Sequence, residues 1–281
     1  MAVLHLNRWN LSIGDGGPLV CIAGLNVLED LDLALETCSV LQAVTGELGL
    51  PFLFKASFDK ANRSSLKSYR GPGLAKGLKI LAEVKARFKV PIVTDIHELA
   101  QADPVAEVAD VIQIPAFLCR QTDLLVAAAR AVSRSGGWLQ VKKGQFLAPL
   151  DCRNILDKIR EAAPDCQTIL CERGVTFGYN NLVVDMLGIK TMQHLGAPVT
   201  IDATHAVQLP GANPLTNGAS AGGRREGVSI LAKAAVAAGA DGVFLEFHPE
   251  PDKALCDGPS CLPLSEAAGL LATLKAIHAV R

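Results

Sequence analysis

Short apolar runs alternate along the chain with longer segments of helical periodicity. The runs are rich in Val, Ile and Leu and are bounded by Pro, Gly or polar residues, which is typical of buried parallel strands. They span residues 18–24, 51–57, 91–97, 111–116, 138–144, 168–174, 198–205 and 242–248. Segments such as 32–48, 122–134 and 228–240 lie between them and repeat apolar positions every three to four residues, which predicts helices.

This alternation predicts a (β/α)₈ TIM barrel. Strands that alternate with helices form right-handed βαβ units around a parallel sheet, and such a barrel needs eight units in roughly 250 residues. A doubly wound open sheet is the alternative, but no Gly-rich dinucleotide fingerprint follows the first run. Residues 1–17 contain turn residues in "WNLSIGDGG" and are expected to form a hairpin that plugs the barrel bottom. Residues 18–281 then form the barrel, in a single domain.

Composition and charge narrow the possible partners. The chain has 281 residues, of which 49 % are apolar, and a formal net charge of −1, which argues against a nucleic-acid surface. None of the eight cysteines forms a CxxC pair and several lie inside apolar runs, which predicts buried, reduced thiols. We find neither a signal-peptide pattern nor an apolar run of membrane-spanning length. We therefore expect a cytoplasmic protein with no membrane partner.

Reactive side chains stand at the carboxyl ends of the predicted strands. They are Asn26, Lys55, Lys60, Asp95, His97, Gln113, Lys142, Lys143, Glu172, Arg173, Asp202, His205, Glu246 and His248. In a parallel barrel these ends meet at one face, where active sites lie. The pattern therefore predicts one converging site.

Positive charge is concentrated in residues 54–73 and at two other strand ends. Lys55, Lys142 and Arg173 come from separate strands with no matching acidic run, so an anion site is favoured over pairing with carboxylates at the rim. The segment "KANRSS", residues 60–65, adds donors suited to a terminal phosphate, although an ordinary polar loop is the alternative. The expected substrates are small and carry several negative charges.

A divalent metal site is the weaker hypothesis. His205, Glu246 and Asp257 are a usable set of ligands, and the first strand would have to supply the fourth. That strand offers Asn26, a poor transition-metal ligand, while Cys21 is expected to pack in the core. No metal and no cofactor are therefore expected.

Two further patterns concern substrate hydroxyls and water. In "TDIHE", Asp95 and His97 point the same way from their strand, so Asp95 is the candidate hydroxyl acceptor and His97 shapes the rim. The long polar stretches 205–227 and 248–260 are expected to act as lids that exclude water during the reaction.

Seven separated motifs resemble those of the 3-deoxy-D-manno-octulosonate 8-phosphate synthases. They are "FKASFDKANRSS", "TDIHE", "QIPAFLCRQTDLL", "VKKGQF", "CERGVTFGYNNLVVDM", "DATHAVQ" and "CDGPS". The resemblance runs from about Cys21 to Pro263. It implies a transferase that condenses phosphoenolpyruvate with D-arabinose 5-phosphate and water and releases phosphate. Related enzymes that use erythrose 4-phosphate are similar in fold but lack the "KANRSS" form of the loop.

The resemblance also implies a role for individual residues. Phosphoenolpyruvate would be bound by Lys55, Ser57, Lys60, Gln113, Ala116, Lys142 and Arg173. Arabinose 5-phosphate would be bound by Asn62, Arg63, Ser64, Asp95, Phe117, Arg120 and Gln208. The catalytic set would be Lys60, Asn26, His205, Asp257 and Glu246. Phe117 and Arg120 look like residues that reach a neighbouring subunit's site, which implies a homotetramer.

In the implied mechanism Lys60 protonates the developing alkoxide, and burial beside other cations is expected to lower its pKa. His205 or Asp257 would activate the water, and the sequence does not choose between them. The family has two kinds, and Asn26 together with "CDGPS" matches the metal-independent one. Gly144 replaces a proline found in other members. The rival hypotheses are another phosphoenolpyruvate-condensing synthase, a metal-dependent hydrolase and a non-catalytic sugar-phosphate sensor.

Overall fold

A computed structural model describes residues 2–213 and 221–281. The strands are β1 (Val3–Leu6), β2 (Leu11–Gly14), β3 (Val20–Val27), β4 (Phe52–Ser57), β5 (Ile92–Asp95), β6 (Val111–Ile114), β7 (Trp138–Lys142), β8 (Gln167–Glu172), β9 (Val175–Thr176), β10 (Leu182–Val183), β11 (Val199–Asp202), β12 (Gln208–Leu209), β13 (Gly222–Gly223), β14 (Gly242–His248) and β15 (Leu262–Pro263). The α-helices are α1 (Leu31–Leu48), α2 (Leu74–Phe88), α3 (Ala102–Val108), α4 (Thr122–Ser135), α5 (Cys152–Ala162), α6 (Met186–Gln193), α7 (Ala203–Ala206), α8 (Arg225–Ala237) and α9 (Ala267–Ala279).

The predicted barrel is confirmed, and the open-sheet alternative is wrong. Strands β3 to β8, β11 and β14 run parallel and pair with their neighbours in chain order. Strand β14 closes the ring because Gly242 lies opposite Val20 of β3 on one side and Thr200 of β11 on the other. The helices pack outside this ring, so the carboxyl ends of all eight strands share one face.

The N-terminal hairpin fills the opposite end of the barrel, as predicted. Strands β1 and β2 pair antiparallel. From this hairpin Leu6 and Ile13 are buried in an interior apolar cluster together with Val20, Val111 and Trp138 of the barrel strands. The barrel bottom is therefore a packed core, and the open end is the one that carries the polar residues.

Asp110 fastens the hairpin to the barrel. Its carboxylate accepts hydrogen bonds from Trp9 Nε1 at 2.7 Å and from the Ile92 N–H at 3.0 Å, and it pairs with Lys85 Nζ at 2.8 Å. Asp110 is buried. Its removal would leave buried donors without an acceptor, which is more costly than losing an exposed pair.

We expect Asp110→Ala to lower the free energy of unfolding by about 3 kcal/mol, measured by urea denaturation followed by circular dichroism. The control is Asp103→Ala, because the Asp103–Arg134 ion pair is exposed and should contribute less than about 1 kcal/mol. Equal losses in the two variants would show that Asp110 does not anchor the hairpin.

The cysteines are free thiols, in agreement with the sequence-based prediction. Seven of the eight are buried, and Cys166 is partly exposed. Burial raises the pKa of the Cys21 thiol to about 12, so this thiol stays protonated in the core. In the described part of the chain, no helix combines the length and the apolar character that crossing a bilayer requires.

Candidate active site

A two-part cleft opens at the carboxyl ends of the barrel strands. The inner chamber, of about 170 Å³, is lined by Lys60, Ala61, Asn62, Asp95, His97, Gln113, Pro115, Ala116, Phe117, Leu118, Lys142, Gln145, Arg173, His205, Gln208 and Asp257. The outer chamber, of about 120 Å³, is lined by Asn62, Arg63, Ser64, Phe117, Gln145, Gln208, Pro210, Gly211, Ala221, Cys256 and Asp257. The shared residues make the two chambers neighbours in one cleft.

A closed loop after β4 carries the basic cluster to this cleft. At its base the Lys60 N–H donates to Arg70 O at 2.7 Å, and the Gly73 N–H donates to Phe58 O at 3.0 Å. Gly71 has φ +116°, and a Cβ there would lie 2.4 Å from Phe58 O, so the closure requires glycine. The closed loop places Lys60 in the inner chamber and Arg63 in the outer one.

Lys60 is a buried ammonium with no direct counter-ion. It is 9 % exposed, and among the residues that the structure describes no carboxylate oxygen lies within 4.0 Å of Nζ. Burial lowers its pKa, but the carboxylates of Glu246 and Asp95 outweigh burial and hold the pKa above its usual range. The expectation of a lowered pKa is wrong, since nearby carboxylates dominate over the neighbouring cations. Lys60 is therefore a protonated donor.

Two of the predicted cations have carboxylate partners, contrary to the expectation of unmatched charge. Lys55 Nζ lies 2.6 Å from Glu246 Oε1, and Lys142 Nζ lies 2.6 Å from Asp202 Oδ2. Both ammonium groups also lie over the ring of Phe244, at 5.3 Å and 3.8 Å from its centroid. Burial, the largest influence on Lys55, lowers its pKa. The partners come from other strands, so no acidic run marks them in the sequence.

Arg173 carries the open donor of the inner chamber. Its Nη2 donates to Gln208 Oε1 at 3.0 Å and to His205 O at 3.3 Å. Its Nη1 is buried and has no hydrogen-bond partner among the residues that the structure describes. A buried guanidinium nitrogen without a partner is costly, so an anionic ligand would satisfy it.

The Asn26 amide lies at the centre of the residues considered as metal ligands. Asn26 Nδ2 is 2.5 Å from Glu246 Oε2, 3.1 Å from Asp257 Oδ2 and 3.4 Å from His205 Nε2. The register of β3 against β4 shifts between Gly24 and Val27, the segment that contains Asn26, and the Asn26 side chain is buried. Within the described ranges, no group of three His, Cys, Asp or Glu side chains is arranged to hold a metal ion. The amide nitrogen occupies the point at which these side chains converge.

Asp95 is held in its ionised form at the chamber wall. Ser57 Oγ donates to Asp95 Oδ1, and His97 Nε2 lies 3.0 Å from Asp95 Oδ2. Burial raises the pKa of Asp95, but His97, Lys60 and Lys55 outweigh burial and hold it well below its usual range. The ionised carboxylate can accept a hydrogen bond from a substrate hydroxyl group.

Comparisons with known proteins show the family of the chain. The chain matches the model of the DAHP synthetase I family over residues 3–279. It belongs to that family. Curated relatives named "2-dehydro-3-deoxyphosphooctonate aldolase" include one from Hahella chejuensis, 55 % identical over 95 % of this chain and 92 % of the relative. Those from Cupriavidus necator and Shewanella baltica are 55 % and 52 % identical, over 92 % and 97 % of this chain and 88 % and 93 % of the relatives.

Not every residue predicted for this DAHP synthetase I family member lines the cleft. Lys55, Ser57, Asn26 and Glu246 are buried and line neither chamber. Ser57, Asn26 and Glu246 contact residues that line the inner chamber, and Lys55 pairs with Glu246. Arg120 lies on a different cavity, next to Asp151 and Lys158, so this chain's own cleft does not use it. Phe117 lines both chambers.

Five residues that line the inner chamber of the family member were assigned neither a substrate nor a catalytic role from the sequence. They are Ala61, His97, Pro115, Leu118 and Gln145. Gln145 lies within the quoted motif "VKKGQF" and lines both chambers. Its side-chain Oε1 is buried without a partner in the described part of the chain. Its position three residues after the end of β7 was the signal that could have identified it.

The two predicted lids differ in what the structure describes. Residues 203–206 form α7 because Asp202 Oδ1 accepts from the His205 N–H at 2.9 Å and ends the strand there. Farther along stretch 205–227, β12 and β13 pair, and residues 214–220 lie outside the described residues. Stretch 248–260 contains two short 3₁₀ turns. Lid motion remains a prediction.

Proposed function

We propose that this enzyme condenses phosphoenolpyruvate with D-arabinose 5-phosphate and water, giving 3-deoxy-D-manno-octulosonate 8-phosphate and inorganic phosphate. The relatives' name, 2-dehydro-3-deoxyphosphooctonate aldolase, denotes this same synthase. The observation that carries the proposal is the division of the cleft into two chambers, each with its own cationic donors. One chamber suits each anionic reactant.

The inner chamber is assigned to phosphoenolpyruvate. Lys60, Lys142 and Arg173 face it, and Arg173 Nη1 has no partner within the described residues. Gln113 and Ala116 line the same wall. Lys55 and Ser57 support the chamber from behind. A ligand with a phosphate and a carboxylate brings the acceptors that these donors need.

The outer chamber is assigned to the phosphate of the aldose. Asn62, Arg63 and Ser64 line it, and Arg63 Nη1 contacts Cys256 Sγ rather than a carboxylate. The aldehyde then extends toward the inner chamber, where Asp95 accepts from the sugar hydroxyls. Gln208 lies at the boundary between the chambers.

We propose the following steps for the reaction. The methylene carbon C3 of phosphoenolpyruvate attacks the aldehyde carbon, and Lys60 donates a proton to the alkoxide that forms. Water then adds to C2 from the side of His205 and Asp257, one of which accepts its proton, and cleavage of the C2–O bond releases phosphate. Lys142 and Arg173 stabilise the negative charge that moves onto the phosphate.

The decisive experiment is a substrate comparison. Purified protein is incubated with phosphoenolpyruvate and either D-arabinose 5-phosphate, erythrose 4-phosphate or an amino sugar, and phosphate release is measured. Only the first aldose should support rapid release, at least about 100-fold above the others. Equal release with erythrose 4-phosphate would identify a different synthase, and binding without release would identify a sensor.

We further propose that the enzyme works without a bound metal, because the Asn26 amide donates to the carboxylates that would otherwise bind the ion. Activity is expected to stay within about twofold after exhaustive EDTA treatment and dialysis, since no step assigned above requires an ion. Loss of turnover in EDTA that Mn²⁺ or Zn²⁺ restores would overturn this proposal and would revive the metal-dependent alternative.

Asn26→Cys supplies the companion test. A thiolate at this position would join His205, Glu246 and Asp257 as a fourth ligand. The variant should therefore bind Zn²⁺ or Mn²⁺, and its activity should depend partly on the added ion. Metal content is measured by plasma emission spectroscopy, with Asn26→Ser as the control. Failure of Asn26→Cys to retain any ion would show that these side chains do not converge as proposed.

The outer-chamber assignment predicts a selective effect on the aldose. Arg63→Met should raise the KM for D-arabinose 5-phosphate about 30-fold to 100-fold, because a charge-assisted contact to phosphate is lost, and should leave the KM for phosphoenolpyruvate within about threefold. Steady-state phosphate release measures both constants. The matched control is Arg87→Met on the exposed face of α2. Similar increases in both KM values would contradict the assignment.

We propose a cytoplasmic homotetramer in which Arg120 serves a neighbouring subunit. Arg120 is exposed and lies away from this chain's own cleft, which supports a role outside it. Light scattering of the purified protein tests the assembly.

A further inference from the structure

Asp257 reaches the site through an unusual backbone conformation. Its φ is +50°, in the left-handed region that non-glycine residues rarely adopt. The Asp257 carbonyl accepts from the Ser260 N–H at 2.9 Å and from the Cys261 N–H at 3.2 Å. In this turn the Asp257 carboxylate lies 3.1 Å from the Asn26 amide nitrogen, so the contacts that hold the turn bear on the geometry of the site.

Arg225, at the start of α8, binds this turn from outside the cleft. Its Nη2 donates to the carbonyl of Gly258 at 2.9 Å and to Asp252 Oδ1 at 2.7 Å. Gly258 directly follows Asp257, and Asp252 lies near the beginning of the same loop. One guanidinium therefore links both parts of the loop that carries Asp257.

The segment before Arg225 packs against the same turn. A Cβ at Gly223 would lie 2.2 Å from Ser260 Oγ and 2.8 Å from the Pro259 carbonyl carbon, so the two backbones are in direct contact. Gly223 also pairs with Gln208 across β12 and β13. Since Gln208 Oε1 accepts from Arg173, contacts run without a break from Arg173 to the loop of Asp257.

We propose that Arg225 is a positioning residue for the reaction. It holds the left-handed turn at Asp257, so that the carboxylate stays against Asn26 and beside His205 while water attacks. The effect on turnover rests on the proposed function, whereas the effect on the turn does not. Arg225 does not line either chamber and has no direct contact with the reactants in this assignment.

Hydrogen exchange of the free enzyme tests the positioning without any substrate. In Arg225→Met, the amides of Ser260 and Cys261 should exchange at least about tenfold faster, because the turn opens more often. The control is Arg224→Met, an exposed arginine one residue earlier, which should change exchange less than about twofold. Unchanged exchange rates of these two amides in Arg225→Met would overturn the proposal. This outcome does not depend on which substrates the enzyme condenses.

Steady-state turnover tests whether Arg225 serves the reaction through this turn. Arg225→Met should lower kcat about tenfold to thirtyfold with the KM for phosphoenolpyruvate within about threefold, and Arg225→Lys should recover at least about a third of kcat. Faster exchange with unchanged kcat would also overturn the proposal, since the turn would then not serve the reaction. If Arg225→Met does not fold, Arg225→Gln replaces it with the same expectations, because the shorter side chain cannot span both acceptors. Absence of turnover in the unmodified enzyme would count against the proposed function alone.

Discussion

Lys60→Met is expected to lower kcat about 1,000-fold while the protein stays folded. The substitution removes the one buried ammonium of the inner chamber that has no carboxylate within 4.0 Å in the described residues, and with it the proposed proton donor. Loss of a general acid typically lowers the rate between about 10² and 10⁴ times. Steady-state phosphate release gives kcat, and circular dichroism confirms folding.

The control for Lys60→Met is Lys67→Met, an exposed lysine on the same loop, which should keep kcat within about twofold. The raised pKa of Lys60 also predicts how the contribution of Lys60 to kcat depends on pH. A lysine whose pKa is raised stays protonated through neutral pH, so Lys60 should cause no loss of kcat between about pH 6.5 and 9. A Lys60→Met enzyme with near-normal kcat would rule out the proton-donor role.

Periodicity was enough to predict the barrel because each barrel strand is a short, mostly apolar segment with a polar residue at or near its carboxyl end. The same rule predicts that Lys142 and Arg173 lie at one face of the barrel. It could not show that Asp202 pairs with Lys142 or that Glu246 pairs with Lys55, because the partners lie on strands distant in sequence. Closure of the eight-stranded ring decides which strand ends face each other across the open end of the barrel.

The direction of the Lys60 pKa illustrates a different limit. The sequence shows that cations are numerous near Lys60, and that alone suggests a lowered pKa. The actual direction is a balance between burial, which lowers it, and carboxylates of β5 and β14, which raise it more. This balance depends on how far each carboxylate lies from the Lys60 ammonium group. The residue types alone could therefore not predict the direction of the pKa. The Asn26 cluster, by contrast, was anticipated through the resemblance, and the structure brings its four members together.

Arg173→Met is expected to lower kcat/KM for phosphoenolpyruvate about 1,000-fold. The Arg173 backbone is fixed because Glu172 Oε1 accepts from the N–H groups of Arg173 and Gly174, at 2.9 Å and 2.6 Å. The guanidinium is thereby preorganised, with Nη2 bound to Gln208 and Nη1 open to the chamber. A factor of 1,000 corresponds to about 4 kcal/mol, which is reasonable for a charged donor acting on both substrate and transition state.

Arg173→Lys separates geometry from charge. A lysine keeps the positive charge but cannot bind Gln208 and a phosphate oxygen together, so kcat/KM should still fall at least about 100-fold. Arg130→Met on the exposed face of α4 is the control and should stay within about twofold. Isothermal titration with phosphoenolpyruvate, without the aldose, measures ground-state binding. A loss confined to that binding, with kcat unchanged at saturation, would show that Arg173 recognises the substrate without stabilising the transition state.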